Sequence, residues 1–345
     1  MTDVTVKKAE RLEGEVCAPP SKAYTQRLLI AAALSHGTSK ISGPLLSDDT
    51  EAPLRAVKAL GAKVTATEGC WTVDGAQPPL RGARGPIDCG ESGATLRFMI
   101  PVAALASEPS VFVLGKSLEQ RPIEPLLQSL KQLGAEAQHQ RLGDKTAIRV
   151  QGGGISGGKT AMRGDISSQF ISGLMFACPM ARADTEITLT TPLESKGYVQ
   201  MTQAVLAEHG VKVHISEDFN RIRIPANQRY EPCSHRVPGD FSSAAFLLAA
   251  AVVTRSDVLV KNLNYEAVQG DKAILAVLKR MGVNGKICPD SVEIKSEGGL
   301  LEAVDVDARE IPDLVPVCAV LVCYANGTSK IYDAHRLRYL SLIHI

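Results

Sequence analysis

The sequence is poor in aromatic residues, at 4% of 345, and holds a single tryptophan, Trp71. Few rings are left on which nucleic-acid bases could stack. Charge of either sign is not in excess: 38 Lys and Arg against 37 Asp and Glu give a net charge of +1. No polyanion-binding footprint therefore shows at whole-chain level, and no nucleic-acid partner is expected. No apolar run reaches the roughly eighteen residues of a membrane span. The first residues, "MTDVTVKKAERLEGEV", lack the apolar core of a signal peptide, so the expected location is the cytoplasm. None of the eight cysteines forms a CxxC pair, and several lie in apolar runs. That pattern points to reduced core thiols rather than to zinc or disulfides, and no metal is expected. What is present, 45% hydrophobic and 22% charged residues, describes a globular chain long enough for about two domains.

The chain repeats itself. Apolar helical runs start at Ser21, Ser92, Ser167 and Ser242, spaced 71 to 75 residues apart. A second anchor, "LGAKV", "LGAEA", "HGVKV" and "MGVNG", puts Gly61, Gly134, Gly210 and Gly282 at intervals of 72 to 76. A fifth unit starts near Pro312, and its "GTSKI" at Gly327–Ile331 repeats Gly37–Ile41 letter for letter. Each unit reads as an apolar helix, a β-branched strand, a second helix such as "TEAPLRAVKAL", then glycine and a strand pair. This period is too long for a solenoid of helix pairs and suits βαβ-type modules grouped into globular domains. Equivalent modules can bring several helix N-termini to one place, where N–H groups and dipoles favour an anion.

Polar residues recur where the units begin. "PPSKAYTQRLLIAAAL" carries Lys22 and Arg27 at the head of an apolar helix. By itself this pair reads as wet charge on packed stems. "GESGATLR" ends in Arg97, "SLEQRPIEPL" carries Arg121, and "GDISSQF" offers Ser167, Ser168 and Gln169. "ESKGYVQMT" offers Ser195, Lys196 and Tyr198, and "REIPDLVPVCAVL" puts Asp313 at a helix start. Taken singly, Ser167 and Ser168 are an ordinary cap, Arg121 before proline a surface turn, and Asp313 a dipole partner. Their recurrence at corresponding positions changes the balance: such arginines and lysines clamp phosphate or carboxylate. Gly153–Thr160, "GGISGGKT", fits the P-loop pattern, but a P-loop runs straight into a helix, and "AMRGDISS" follows with turn chemistry. The expectation there is a glycine-rich hairpin turn that binds no nucleotide.

Nine motifs together resemble the enolpyruvyl transferase that makes 5-enolpyruvylshikimate 3-phosphate, the EPSP synthase family. They are "PPSKAYTQR", "LLSDDT", "GESGATLRF", "QRPIEPLLQSLKQLGA", "GDISSQFISGL", "ESKGYVQMT", "PGDFSSAAFLLAAA", "QGDKAILAVLKRMG" and "IPDLVPVCAVL", in family order from about Glu13 to Arg338. "LLSDDT" and "GESGATLRF" look most like the archaeal branch. The resemblance implies an α/β fold, a two-domain inside-out barrel of repeated βαβαββ units with helices inside and sheets outside. One domain would span residues 20–227; residues 1–19 and 228–345 would form the other. The implied reaction transfers the enolpyruvyl group of phosphoenolpyruvate to the 5-hydroxyl of shikimate 3-phosphate, without a cofactor, in a monomer. Carried over by motif, Lys22, Ala23, Arg27, Ser167, Ser168, Gln169, Ser195 and Asp313 would meet shikimate 3-phosphate. Lys22, Gly93, Arg121 and Gln169 would meet phosphoenolpyruvate. Lys22 and Asp313 would be catalytic, with Asp313 the base that takes the 5-hydroxyl proton, and Arg97 and Tyr198 would lie nearby.

The chain departs from the family at two of these places. Ala23 stands where serine is usual, removing a hydroxyl contact, and Ala94 where threonine is frequent. Within the same fold, UDP-N-acetylglucosamine enolpyruvyl transferase carries Lys-Asn where this chain has Lys22-Ala23, and a cysteine that "GKSLEQR" lacks. A P-loop nucleotide-binding protein is the rival from another class. At the far end, the fifth unit stops at "AHRLRYLSLIHI" before its second glycine. The second domain is therefore expected to lack the end of unit five and all of unit six, and the chain as written to be inactive. "LSLIHI" is one reading frame of the adaptor string CTG TCT CTT ATA CAC ATC, and on that reading Tyr339 is expected to be the last residue of family character.

Overall fold

The computed structural model describes Thr5 and residues 7–76, 80–295 and 299–339; the "LSLIHI" segment lies outside the described residues. The chain forms two compact units, Met1–Pro19 with Pro238–Ile345, and Pro20–Val237. In chain order, β1 (Glu13–Cys17) and α1 (Lys22–Leu34) are followed by β2 (Thr38–Ser42), α2 (Asp48–Ala59), β3 (Lys63–Thr67) and β4 (Cys70–Asp74). The second module is β5 (Ile87–Asp88), α3 (Gly93–Ala104), β6 (Ser110–Val113), α4 (Glu124–Gln132), β7 (Ala137–Leu142) and β8 (Lys145–Val150). The third is β9 (Gly158–Met162), α5 (Ser168–Ala177), β10 (Thr185–Leu189), α6 (Lys196–Glu208), β11 (His214–Ile215) and β12 (Arg221–Ile224). The fourth is β13 (Ser234–Arg236), α7 (Phe241–Val253), β14 (Asp257–Lys261), α8 (Ala273–Arg280), β15 (Gly285–Cys288) and β16 (Ser291–Ile294). The fifth contains β17 (Leu301–Glu302), β18 (Val306–Asp307), α9 (Val315–Val322), β19 (Ala325–Asn326) and β20 (Ile331–Tyr332).

The periodic glycines have a shared physical cause. Gly61, Gly134, Gly210 and Gly282 all sit at positive φ, between 76° and 107°, just past the ends of α2, α4, α6 and α8. After each, the next residue's N–H reaches back to the last turn: Ala62 to Val57 O at 3.1 Å, Ala135 to Leu130 O at 2.9 Å, Val211 to Leu206 O at 2.9 Å and Val283 to Leu278 O at 3.0 Å. This is the Schellman C-cap, which needs a left-handed residue that glycine adopts without a Cβ penalty. The cap then aims the chain into the strand pair that closes the module.

The first four modules each contribute to the same small four-stranded sheet, while the fifth forms two two-stranded pairs, β17 with β19 and β18 with β20. β5 runs parallel to β6, which pairs antiparallel with β8, and β7 closes the edge; β9, β10, β12 and β11 repeat that order. In the first and fourth modules the leading strands trade places. β1 precedes α1 yet lies parallel to β14, and β13 precedes α7 yet lies parallel to β2. The trade keeps residues up to Val237 in the Pro20–Val237 unit. The division between the two compact units falls at Val237–Pro238.

In the Pro20–Val237 unit, α1, α3 and α5 are buried on all sides: Tyr24–Leu34, Thr95–Ala104 and Phe170–Ala177 are covered without a break. A helix apolar all round belongs in an interior. The sheets flank it, with alternation such as exposed-buried-exposed-buried-exposed along β2 and one buried face on β12. Gly173 is what lets α3 and α5 close up, because a Cβ there would stand 2.3 Å from the Arg97 carbonyl oxygen. In the other unit, Leu248, Val260, Ile274, Leu278, Leu314 and Leu321 belong to the core, while Phe246 on α7 is 54% exposed.

Candidate active site

The head of α1 begins at Ser21, whose hydroxyl caps the helix by accepting from Tyr24 N at 3.4 Å. Lys22, on the first turn, is half exposed and pairs with Asp49 Oδ2 at 3.1 Å. Ala23 follows with a methyl and no polar reach. One turn on, Arg27 is only 2% exposed, so the reading of two wet charges fits Lys22 and fails for Arg27. Its guanidinium donates from Nε to Thr202 Oγ1 at 2.8 Å, from Nη1 to Ala23 O at 3.0 Å and from Nη2 to Tyr198 O at 3.3 Å. The Phe98 and Tyr198 rings lie 5.1 and 5.6 Å from its carbon. Burial pulls its pKa down to about 10, which leaves it charged at neutral pH.

The head of α3 has Ser92 as its cap, accepting from Thr95 N at 3.4 Å. Gly93 comes next, and two cations close on it. A Cβ at Gly93 would be 3.3 Å from Arg121 Nη1 and 3.5 Å from Arg97 Nη1. Arg97 is 5% exposed and donates from Nη1 to Gln169 Oε1 at 2.8 Å and from Nη2 to Pro122 O at 3.2 Å. That contact fixes the Gln169 amide with its oxygen toward Arg97, so the NH2 end is the one presented elsewhere. Arg121 ends a short 3-10 turn, and Glu91 holds that turn: its Oε2 accepts from Ser117 Oγ at 2.5 Å, Ser117 N at 3.1 Å and Leu118 N at 3.0 Å. The Ser117 hydroxyl, helped by the two N–H groups and the Arg121 charge, holds the Glu91 carboxyl below its usual pKa. Glu91 was not singled out from sequence; its role depends on a turn 26 residues away.

Ser167 caps α5, accepting from Gln169 N at 3.3 Å, and lies 3.5 Å from Arg97 Nη1. Ser168 beside it is 4% exposed. Ser195, the residue before α6, is 2% exposed and sits at φ 56°, ψ 47°. A left-handed serine costs on the order of 1–3 kcal/mol, a strain that clusters at ligand sites. The structure thus gathers Arg27 with Tyr198, Gly93 with Arg97 and Arg121, and Arg97 with Gln169 and Ser167, all within the Pro20–Val237 unit.

The other unit has the opposite sign at its helix heads. Asp240 caps α7, accepting from Ser243 N at 3.0 Å and Ser243 Oγ at 2.7 Å. Asp271 is 4% exposed and accepts from Ser242 Oγ. Asp313 is half-buried in a 3-10 turn, Pro312–Leu314, that leads into α9 rather than in the α-helix itself. Among the described residues no three His, Cys, Asp or Glu side chains gather as a metal site, and no helix is long and apolar enough to cross a membrane.

The glycine-rich stretch is not a hairpin turn. β8 and β9 on either side of it belong to different sheets, so it is a crossing between modules, with Gly152, Gly153, Gly154, Gly157 and Gly158 all at positive φ. Lys159 and Thr160 lie in β9, not at a helix start, and Lys159 pairs with Glu186 at 3.6 Å on the neighbouring strand. That is not a phosphate cradle.

A model of the EPSP synthase (3-phosphoshikimate 1-carboxyvinyltransferase) family matches residues 6–341. The chain belongs to the EPSP synthase family. Among its relatives, the 3-phosphoshikimate 1-carboxyvinyltransferase of Methanocaldococcus jannaschii is 41% identical over 336 residues, covering 96% of this chain and 77% of the relative. That of Methanocella arvoryzae is 42% identical over 326 residues, 94% of this chain and 76% of the relative. Both are archaeal, as "LLSDDT" and "GESGATLRF" led us to expect. The solved EPSP synthase of Acinetobacter baumannii aligns with a TM-score of 0.77 at 24% identity, over 94% of this chain and 74% of that one. This second likeness speaks for the enolpyruvyl transferase fold.

Proposed function

We propose that the chain transfers the enolpyruvyl group of phosphoenolpyruvate to the 5-hydroxyl of shikimate 3-phosphate, releasing inorganic phosphate. The observation that carries the reading is the set of cations at the helix heads of one unit: Arg27 buried and held on three sides, and Arg97 with Arg121 drawn around Gly93. Both substrates are phosphorylated carboxylic acids, and such pairs of guanidinium groups match their oxygens. In this reading Lys22, Gly93, Arg121 and Gln169 take phosphoenolpyruvate. Lys22, Arg27, Ser167, Ser168, Gln169 and Ser195 take shikimate 3-phosphate, with Ala23 supplying only backbone. Asp313 accepts the 5-hydroxyl proton as that oxygen adds to C2 of phosphoenolpyruvate and C3 takes up a proton; loss of a C3 proton with cleavage of the C2–O bond to phosphate then restores the double bond as an enol ether. Cations fixed in advance stabilise the departing phosphate without reorganising at the moment of reaction. The same reading has the protein work as a cytoplasmic monomer, which sedimentation of the purified chain checks.

The test is phosphate release coupled to a reporter enzyme, on the chain continued past Tyr339 by the matching segment of the Methanocaldococcus jannaschii relative. Release that requires both substrates supports the reading. Lys22→Met should lower kcat/KM by about a hundredfold, near 3 kcal/mol of transition-state stabilisation, and Asp313→Asn should abolish turnover. Release without shikimate 3-phosphate, or a Lys22→Met variant of normal activity, would contradict it.

A further inference from the structure

Arg27 does not hold itself in place. It is buried among helices, and the plane of its guanidinium is set by three acceptors, the Ala23 and Tyr198 carbonyls and one side chain that meets Nε. That partner is Thr202 Oγ1, 2.8 Å away on α6, and Thr202 is fully buried. The hydroxyl is the junction of three helices. Besides the proton it receives from α1, it lies 2.9 Å from Ser172 Oγ on α5 and 2.9 Å from the Tyr198 carbonyl one turn back on its own helix. Its single proton serves one of those two acceptors, and the oxygen's remaining capacity is taken up by Arg27 and its neighbours. Ser172 is fully buried as well, so no water competes. Three of the five guanidinium N–H groups are spent on Thr202, Ala23 and Tyr198, and two remain for an anion. A planar fork delivers those two in a narrower direction when Nε is held by a side chain as well as the two Nη atoms by carbonyls.

We infer that Thr202 is a positioning residue for the anionic substrate: through Nε it orients Arg27 toward the phosphorylated acid. The inference rests on the proposed role of Arg27 in holding shikimate 3-phosphate. Thr202 touches no substrate itself. Replacing its hydroxyl by a methyl leaves a buried, charged N–H without an acceptor, and Arg27 turns to find one.

The test titrates shikimate 3-phosphate calorimetrically into the full 345-residue chain, with urea unfolding followed through Trp71 as the control for folding. Thr202→Val should weaken binding by about tenfold or more, the usual scale for losing a hydrogen bond to a charged group. Thr202→Ser, which keeps the hydroxyl, should bind within about threefold of the parent, and Thr202→Ala repeats the test if the valine variant unfolds. In an Arg27→Met background, Thr202→Val should cost nothing further, because it acts through Arg27. Parent-like binding by Thr202→Val and Thr202→Ala overturns the inference. So does an equal loss from Thr202→Val with and without Arg27. If the unsubstituted chain does not bind shikimate 3-phosphate, the same series is run on the chain continued past Tyr339; if that does not bind either, the substrate reading fails first and takes the inference with it.

Discussion

Acidification from pH 7.5 to pH 5 should loosen the Pro20–Val237 unit through one histidine. His209 is fully buried at the end of α6. Its Nδ1 faces the Glu231 carbonyl at 2.7 Å and Ser35 Oγ at 3.0 Å, and its Nε2 meets His235 Nε2 at 2.9 Å. His235 in turn faces Glu208 Oε2 through Nδ1 at 2.8 Å. The carbonyl takes a proton from Nδ1, so His209 Nε2 accepts from His235. A second proton on His209 would set two N–H groups against each other in a dry site. Burial, reinforced by the His235 charge and opposed by the Glu231 carbonyl and Glu208, pushes the pKa down from 6.5 to about 4. The unfolded chain therefore binds the proton first. Stability is fully present above pH 6.5 and falls as pH drops toward 4, by about 2 kcal/mol at pH 5 and about 3 kcal/mol at pH 4. Trp71, the only tryptophan, is buried in β4 of the same unit, so its fluorescence reports this unfolding. At pH 5 the urea midpoint should lie roughly 0.5–1 M below that at pH 7.5. His209→Asn keeps a donor for the Glu231 carbonyl and cannot titrate, so its midpoint should be nearly flat over this range. The carboxylates held below their usual pKa, Asp165 and Glu91 among them, lose their contribution only at lower pH. An unchanged slope in His209→Asn would refute the reasoning.

Gly173→Ala should destabilise the same unit by about 2–4 kcal/mol, read as a lower urea midpoint, because its methyl would sit 2.3 Å from the Arg97 carbonyl oxygen and 3.3 Å from Pro101. Gly93→Ala should leave that midpoint in place but raise the KM for phosphoenolpyruvate several-fold, since the new methyl crowds Arg121 Nη1 at 3.3 Å. Lys159→Ala removes only an exposed pair with Glu186, so stability should change by less than about 0.5 kcal/mol. Calorimetry should find no saturable ATP binding before or after that change.

The modules were legible because their marker is a backbone requirement. Gly61, Gly134, Gly210 and Gly282 recur since each closes a helix with positive φ, and a requirement of that kind leaves a letter in the sequence. The heads of α1, α3 and α5 were legible for the same reason, through Ser21, Ser92 and Ser167 as caps. The trade of β1 for β13 left no letter. Ser234–Arg236 is three residues long, and which strand it joins is decided by pairings to β2 almost two hundred positions away. The glycine-rich crossing at 152–158 misled because several positive-φ glycines suit a tight turn as well as a passage between two sheets. Burial was hidden too: Lys22 and Arg27 look alike in the sequence, yet one is half exposed and the other enclosed by α3 and α6. Thr202 and Glu91 act through partners brought near by tertiary packing, which local pattern does not record.

The proposed enolpyruvyl transfer is tested most directly by following its carbon. Phosphoenolpyruvate labelled with 13C at C2 is mixed with shikimate 3-phosphate and the chain continued past Tyr339, and the label is observed by NMR. The account expects the labelled carbon to lose its phosphate and reappear as an enol ether on the 5-oxygen, with one phosphate released for each label transferred. A label that stays in phosphoenolpyruvate, or passes to pyruvate at a rate indifferent to shikimate 3-phosphate, would contradict it.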